Sequence, residues 1–354
     1  MITQKTENDF VRSLDRKLKR LHPTSGQIEL TYRCNHDCVH CYCKGAGAEE
    51  LSAGEWKRIL GELQGAGAMY LTLTGGEPLL RNDFFQIYDY ARRKGFLITI
   101  FTNGTLFDDE SIARLAQHPP YSVEITLNGI TRKAYEKISG VEGSFEKAML
   151  NIRKLAAASV PLVLKAVGLR ENKDEISGIK SFAESLLGKK RFRFDSFITP
   201  TLTGGSAPCG HRLSAEEIER LEDSDNEMLA QREEEFEKHK PSPREPRYKY
   251  RCNSWFRRFY ITPDGVLRFC RLTGRYSTDL KKASFTEGFY KKFPAVLEEK
   301  YISNSKCICC DLREFCFHCP ARAYLETGGD EKPVQYFCEL AAMAKRRYDK
   351  EKRV

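Results

Sequence analysis

The sequence predicts an α/β protein, a partial (β/α)6 TIM-like barrel followed by a smaller cysteine-rich C-terminal domain. Three observations carry this. Six short β-rich apolar runs alternate with stretches of helical spacing over residues 27–203. Near Gly204 the alternation breaks into a loop rich in Gly, Pro and Ser. Beyond Cys252 the chain becomes short-stranded, turn-rich and crowded with cysteine.

The six runs are QIELTYR, MYLTLTGG, FLITIFTN, YSVEITLNG, VPLVLKAVG and RFRFDSFIT. The helix after the first opens on Ser52, with Glu55 at capping-box spacing. In the next, RNDFFQIYDYARRKG, Asn82 is placed to cap and Gly95 to end the helix. Strands that each lead into a helix form a parallel sheet wrapped by helices. Six units are too few for the usual eight-unit barrel, and sites in such folds sit at the C-terminal strand ends. The chain then divides into an N-terminal basic helix (1–26), the barrel (27–203), a loop, charged helix and linker (204–244), the cysteine-rich domain (245–345) and a basic tail (346–354). In the first of these, Phe10, Leu14, Leu18 and Leu21 have helical spacing and are expected to pack on the barrel.

Composition narrows the function classes. The chain has 354 residues, 30 % of them charged and 41 % hydrophobic, as in a globular protein. No apolar run reaches the roughly 18–20 residues that span a bilayer, and the N-terminus has no signal-peptide core. A cytoplasmic protein without a membrane partner is expected. The net charge of +9 invites a nucleic-acid partner, yet acidic residues interleave with the basic ones. Residues 216–238 are strongly acidic, and only AKRRYDKEKRV is a concentrated basic run, read as a solvated helix end. No nucleic-acid partner is expected.

The thirteen cysteines carry the chemistry. In a reducing compartment, clustered cysteines are metal ligands or catalytic thiols, and their odd number argues against full pairing. TYRCNHDCVHCYCKG holds Cys34, Cys38, Cys41 and Cys43, directly after the first strand. Zinc commonly takes two CxxC pairs, whereas this run reads CxxxCxxC, with His36, His40 or Cys43 left to complete the set. A four-iron cluster fits better, because three cysteines hold three irons and leave the fourth open.

This loop is similar to that of the radical SAM superfamily. Tyr42 stands where these enzymes place an aromatic residue after the third cysteine, and TGGEP, TNG and ITLNG follow in order at the ends of the next three strands. The resemblance implies that the open iron chelates S-adenosylmethionine and that Cys34, Cys38 and Cys41 are the catalytic cluster ligands. It implies that the backbone of Gly75 and Gly76 approaches the cofactor and that Glu77 holds the methionine ammonium. Thr126 and Asn128 fall where the family reaches the ribose or carboxylate. Ser139 stands before Gly140 where many relatives have Arg, with Lys137 as the nearby substitute. Reductive cleavage of the sulfonium then yields a 5′-deoxyadenosyl radical that abstracts hydrogen. Cys43 is read as a buried, inert thiol.

The C-terminal cysteines resemble the SPASM extension of the same superfamily. PDG before Gly265's strand is a hairpin turn that returns Cys270 toward Cys252. The resemblance implies a first auxiliary cluster on Cys252, Cys270 and Cys319, and a second on Cys307, Cys310, Cys316 and Cys338. Three [4Fe-4S] clusters are thus implied, with Cys309 left over. Cys209 or a substrate thiolate is expected to complete the first auxiliary set. Zinc ribbons are the alternative reading of the CxxC spacing.

The reading that follows is a radical SAM/SPASM enzyme that modifies a ribosomally made peptide or protein side chain by a thioether or carbon–carbon link. A small-molecule substrate, such as a tetrapyrrole or quinone precursor, is the rival. An iron–sulfur electron-transfer protein is the non-enzymatic one, disfavoured because a carrier has no need of a cofactor at an open iron. Fewer than thirty residues precede the first strand, so either a separate leader-binding protein presents the peptide or the substrate is not leader-guided. A flavodoxin or ferredoxin is the expected electron donor.

Overall fold

The computed structural model describes residues 21–230, 234, 248–250 and 257–351. Most of the expected N-terminal helix, the proline-rich linker and Cys252 lie outside the described residues.

Each of the six runs forms a strand: β1 (Ser25–Glu29), β2 (Tyr70–Thr74), β3 (Leu97–Thr102), β4 (Ser122–Thr126), β5 (Leu162–Val167) and β6 (Phe192–Asp195). All pair in parallel with their sequence neighbours. The helices between them are α1 (Ala53–Gly65), α2 (Phe84–Arg93), α3 (Asp109–Gln117), α4 (Arg132–Ser139), α5 (Ser144–Ala157) and α6 (Ile176–Leu187). Ser52 caps α1 in a capping box with Glu55. Asn82 does not cap α2. Asp83 is the N-cap residue and makes no side-chain cap bond, because Arg81 takes both its carboxylate oxygens, at 2.9 and 2.8 Å. Gly95 follows α2 at φ +88°, which Gly adopts without strain.

The sheet does not end at the sixth strand. β7 (Arg258–Ile261) pairs in parallel with β1. β8 (Val266–Arg268) and β9 (Thr278–Asp279) continue it antiparallel. The result is an open nine-stranded sheet, ordered β6-β5-β4-β3-β2-β1-β7-β8-β9, a barrel left unclosed. The PDG turn joins β7 to β8, with Gly265 at φ +83°.

Strand alternation gives the sheet two unlike faces. Ile28, Leu73, Ile100, Ile125 and Leu164 pack with Trp56, Ile59, Phe84 and Ile152 of the helices in one apolar core. Each such fully buried side chain contributes about 1.5–3 kcal/mol. Register places the other set together on the opposite face: Glu29 beside Thr74, Phe101 beside Glu124, Thr126 beside Lys165, Lys165 beside Arg193. A sheet face this rich in charge is built to meet something polar.

The acidic segment is not one helix. α7 (Ala215–Asp223) stops at Ser224, and a new turn begins at Asn226. The chain's end forms α8 (Pro320–Thr327) and α9 (Gln335–Glu351). Arg347 on α9 pairs with Glu222 and Asp223 of α7 at 2.9 and 2.7 Å, so acidic and basic segments meet each other. Arg212 is buried and donates to Ile198 O and, bidentate at 2.8 Å, to Glu326 of α8, tying the β6 exit to the C-terminal region.

Lys249 pairs with Asp330 at 3.0 Å and Glu331 at 2.8 Å. Burial pushes the Glu331 pKa up, but Lys249 and the N–H groups of Ile302 and Ser303 prevail and hold it at about 2. A carboxyl depressed in the folded state stabilises above its ordinary pKa of 4.5 and loses that contribution as pH falls toward about 2. Glu331→Gln should cost about 1–2 kcal/mol at neutral pH, and the cost should vanish below about pH 2. Denaturant melts across that range check it; an equal cost at both ends would refute it.

Candidate active site

The loop after β1 is clamped from three sides. Buried Arg81 donates to Leu30 O at 3.1 Å and Leu51 O at 2.8 Å. Arg33 makes a forked pair with Glu50 at 2.8 and 3.0 Å, and Thr31 also donates to Glu50. At the far end, Asp37 N–H and Val39 N–H donate to Ser139 O and Ile138 O, at the C-terminus of α4. That end of α4 therefore supports the loop through its carbonyls. Ser139 is buried with its hydroxyl bonded to Ser144, and Lys137 is exposed.

Within the loop the three thiols act on one another. Burial, then the charges of Cys41 and Cys34, pushes the Cys38 pKa up. Burial, against the His36 N–H at 3.4 Å, raises Cys34 to about 11. Cys43 holds Cys41 down to about 7 and is itself buried. Buried His36 Nε2 and His40 Nδ1 flank Cys38 with no hydrogen-bond partner among the described residues. Burial lowers both histidines to about 4, so both are neutral at neutral pH. Soft thiols in one another's field fit an iron–sulfur cluster. No three His, Cys, Asp or Glu side chains among the described residues converge as on one ion. A cluster needs less convergence, because each thiolate meets its own iron.

The TGGE segment leaves β2 flush against this loop. Gly76 N–H donates to Thr31 O at 2.7 Å and Glu77 N–H to Arg33 O at 2.9 Å. A Cβ on Gly75 would stand 2.2 Å from Thr31 O, and one on Gly76 2.3 Å from Arg33 O. Their bare backbones thus admit the cysteine loop itself. Glu77 is fully buried and accepts from Leu79 N–H, Thr102 Oγ1 and Asn103 N–H at 3.1, 2.8 and 2.8 Å. Burial raises its pKa to about 7, against those bonds. Three of its four acceptor positions are taken. Asn103 also donates to Asn35 Oδ1 at 2.8 Å, and Asn35 to Thr105 at 2.9 Å, tying the TNG turn to the cysteine loop.

Tyr42 donates to buried Glu29 at 2.8 Å, and the Arg271 guanidinium lies 4.7 Å above its ring. Thr126 ends β4 on the polar face. Asn128 is buried; its Oδ1 accepts Val167 N–H at 2.9 Å, and its carbonyl accepts Asn172 Nδ2 at 3.0 Å.

The C-terminal thiols fall into two groups. Cys270 and Cys319 both act on Tyr250. Cys307 and Cys310 both act on Cys338, and Cys316 Sγ lies 3.8 Å from Phe337 O, one residue before it. Cys319 caps α8, its sulfur accepting Arg322 N–H at 3.4 Å. Cys309 is exposed, and Cys209 sits half-buried in the turn Ala207–His211. Cys252 lies outside the described residues.

Residues 28–183 match the family model described as the radical SAM superfamily. The chain carries a radical SAM domain. Its relatives include the AdoMet-dependent heme synthase of Methanosarcina barkeri, 30 % identical over 198 residues, which are 54 % of this chain and 55 % of that protein. The sporulation killing factor maturation protein SkfB of Bacillus subtilis is 30 % identical over 159 residues, 44 % of this chain and 38 % of that protein. The matches thus span about half or less of these curated relatives' lengths. The fold extends beyond the radical SAM domain. Streptococcus suis SuiB bound to S-adenosylmethionine superposes with a TM-score of 0.71 at 17 % identity, covering 94 % of this chain and 81 % of that one. No helix among the described residues is long and apolar enough to cross a membrane.

The clamps Arg81, Glu50 and Asn35, and the charged trio Glu124, Lys165 and Arg193, escaped the sequence reading. Lys165 interrupts an apolar strand, which was the available signal.

Proposed function

We propose that the chain is a radical SAM enzyme that modifies a side chain of a ribosomally made peptide or protein. The observation that carries the chemistry is the three-thiol loop clamped against the TGGE turn at the C-terminal edge of a radical SAM domain. When bound there, a four-iron cluster would supply the electron that cleaves S-adenosylmethionine to a 5′-deoxyadenosyl radical. Cys34, Cys38 and Cys41 would hold it. Gly75 and Gly76 let the TGGE turn lie against that loop, and Glu77, Tyr42, Thr126 and Asn128 would line the cofactor.

The two C-terminal thiol groups support two auxiliary clusters, on Cys252, Cys270 and Cys319 and on Cys307, Cys310, Cys316 and Cys338. A substrate thiolate, rather than Cys209, completes the first. A flavodoxin or ferredoxin supplies electrons, and a separate leader-binding protein presents the peptide. The maturation protein SkfB among the relatives supports a peptide substrate. The heme synthase relative favours a second reading, a tetrapyrrole substrate.

One experiment separates them. The anaerobically reconstituted protein is given dithionite and S-adenosylmethionine with either short cysteine-containing peptides or an iron porphyrin. Peptide maturation predicts peptide-dependent 5′-deoxyadenosine and a product that has lost a hydrogen pair. Turnover with the porphyrin alone transfers the assignment to the second reading, and no 5′-deoxyadenosine under any condition removes both.

A further inference from the structure

Two arginines beside the cysteine loop carry charge without a partner. In the β7–β8 hairpin, Phe259, Ile261 and Leu267 lie in the apolar core. Tyr260 and Arg268, which pair in register, therefore share the opposite face with Gln27 and, by alternation, Glu29 of β1. Arg271 follows in the turn after β8, its guanidinium 4.7 Å above the Tyr42 ring. Both side chains are only partly exposed, and neither makes a hydrogen bond or ion pair among the described residues. Arg268 Nε is buried with nothing to donate to. The carboxylate within their field is already engaged. Glu29 is buried, its Oε1 accepting from the Tyr42 hydroxyl at 2.8 Å and its Oε2 from the Tyr32 hydroxyl at 3.1 Å. Arg271 acts on Glu29 and Tyr42, and Arg268 on Tyr32, through space alone.

A guanidinium keeps its charge at any pH a folded protein meets, and its N–H donors need acceptors once water is withdrawn. An apolar side chain of similar volume would fill this space at no such cost. Around the same loop, Arg33 is paired with Glu50, and Arg81 with Asp83 and Glu50. Arg268 and Arg271 thus stand apart as a cationic excess with forks unfilled. Their place is also informative. Tyr42 follows Cys41 and Arg271 follows Cys270, so the ring and the guanidinium stack between the three-thiol loop and the first C-terminal thiol group.

We propose that Arg271 and Arg268 form the recognition site for a carboxylate of the substrate. That carboxylate accepts the charge-assisted, forked hydrogen bonds that Glu29 leaves unfilled. It has two sources, the side chain of an acidic residue in a peptide or a propionate arm of a tetrapyrrole. The inference rests on the proposed function and narrows it to acidic substrates.

The test is arginine labelling of the reconstituted protein with p-hydroxyphenylglyoxal under anaerobic conditions, with and without S-adenosylmethionine. It is read at Arg268 and Arg271 by peptide mass spectrometry, with exposed Arg220 as internal control. The probes are a capped peptide Ala-Glu-Cys-Ala, its Gln-containing counterpart, an iron porphyrin bearing free propionates and the methyl ester of that porphyrin. If a peptide supplies the carboxylate, the Glu peptide at ten times its dissociation constant slows labelling about tenfold and the Gln peptide does not. If a tetrapyrrole supplies it, the free propionates protect and the ester does not. Equal protection by both members of a pair shows mere coverage and overturns the site. So do protection by S-adenosylmethionine alone, no protection by any carboxylate, and failure of both arginines to label in the free protein. Arg271→Gln should abolish the discrimination read at Arg268 while leaving the visible spectrum of the clusters unchanged. Retained discrimination with an altered spectrum would assign the guanidinium to the clusters and overturn the site. Formation of 5′-deoxyadenosine is measured in parallel: cleavage without carboxylate-specific protection removes the site and leaves the function, whereas protection without cleavage does the reverse.

Discussion

Replacing Cys34, Cys38 and Cys41 together with alanine abolishes 5′-deoxyadenosine formation under dithionite and removes about a third of the iron bound after reconstitution. The fraction follows from the proposed three four-iron clusters, of which this loop would hold one. The other two would draw on cysteines between 252 and 338, whose described members lie apart from the loop in sequence and group around Tyr250 and Cys338. The variant should fold. None of the three thiols is fully buried, and the loop's clamps run through Arg81, Glu50 and the α4 carbonyls rather than through sulfur. Iron analysis, the visible spectrum and chromatography of the nucleoside product check the three consequences. Persistent cleavage in the triple variant would sink the assignment, and stoichiometric zinc in the wild type would sink the clusters altogether.

The barrel was legible because its signals are local. Alternating apolar runs, the Ser52–Glu55 capping box and the Pro-Asp-Gly turn each depend on a few neighbouring residues. What escaped depends on pairing across the chain. Asn82 looked like a cap, but Asp83 takes that place, its carboxylate drawn off by Arg81. The acidic and basic segments were visible one at a time; that Arg347 seeks out Glu222 and Asp223 needs the packing of α9 on α7. Lys165 lies in VLKAV, a run that reads as a wholly buried strand until register sets it beside Thr126 and within reach of Glu124. The glycines of TGGE were legible as positions of close approach. What approaches them in the fold is the backbone at the start of the cysteine loop, Thr31 against Gly75 and Arg33 against Gly76, far upstream in the chain.

That contact sets the second large effect. Gly75→Ala should disable the site although it adds only one methyl group. Gly75 holds φ +153°, a conformation that side chains rarely adopt, and the new Cβ would stand 2.2 Å from Thr31 O and 3.1 Å from Thr31 N. Those obstacles are backbone atoms at the exit of β1, so no flexible side chain can give way. Relief requires the TGGE turn to lift from the loop, which breaks Gly76 N–H to Thr31 O and Glu77 N–H to Arg33 O. Overpacking and backbone strain together cost about 3 kcal/mol or more. The loop that would hold the cluster loses its support on that side, so iron at the first site and 5′-deoxyadenosine formation both fall to background. Gly61→Ala is the control. Its Cβ meets nothing within 4 Å inside α1, and there alanine should stabilise by about 0.5–1 kcal/mol. Melting curves, iron content and nucleoside product are measured for both. A Gly75→Ala protein with wild-type iron and full cleavage would show that the β2 turn does not support the cysteine loop, because no other route past Thr31 exists for a Cβ at that position.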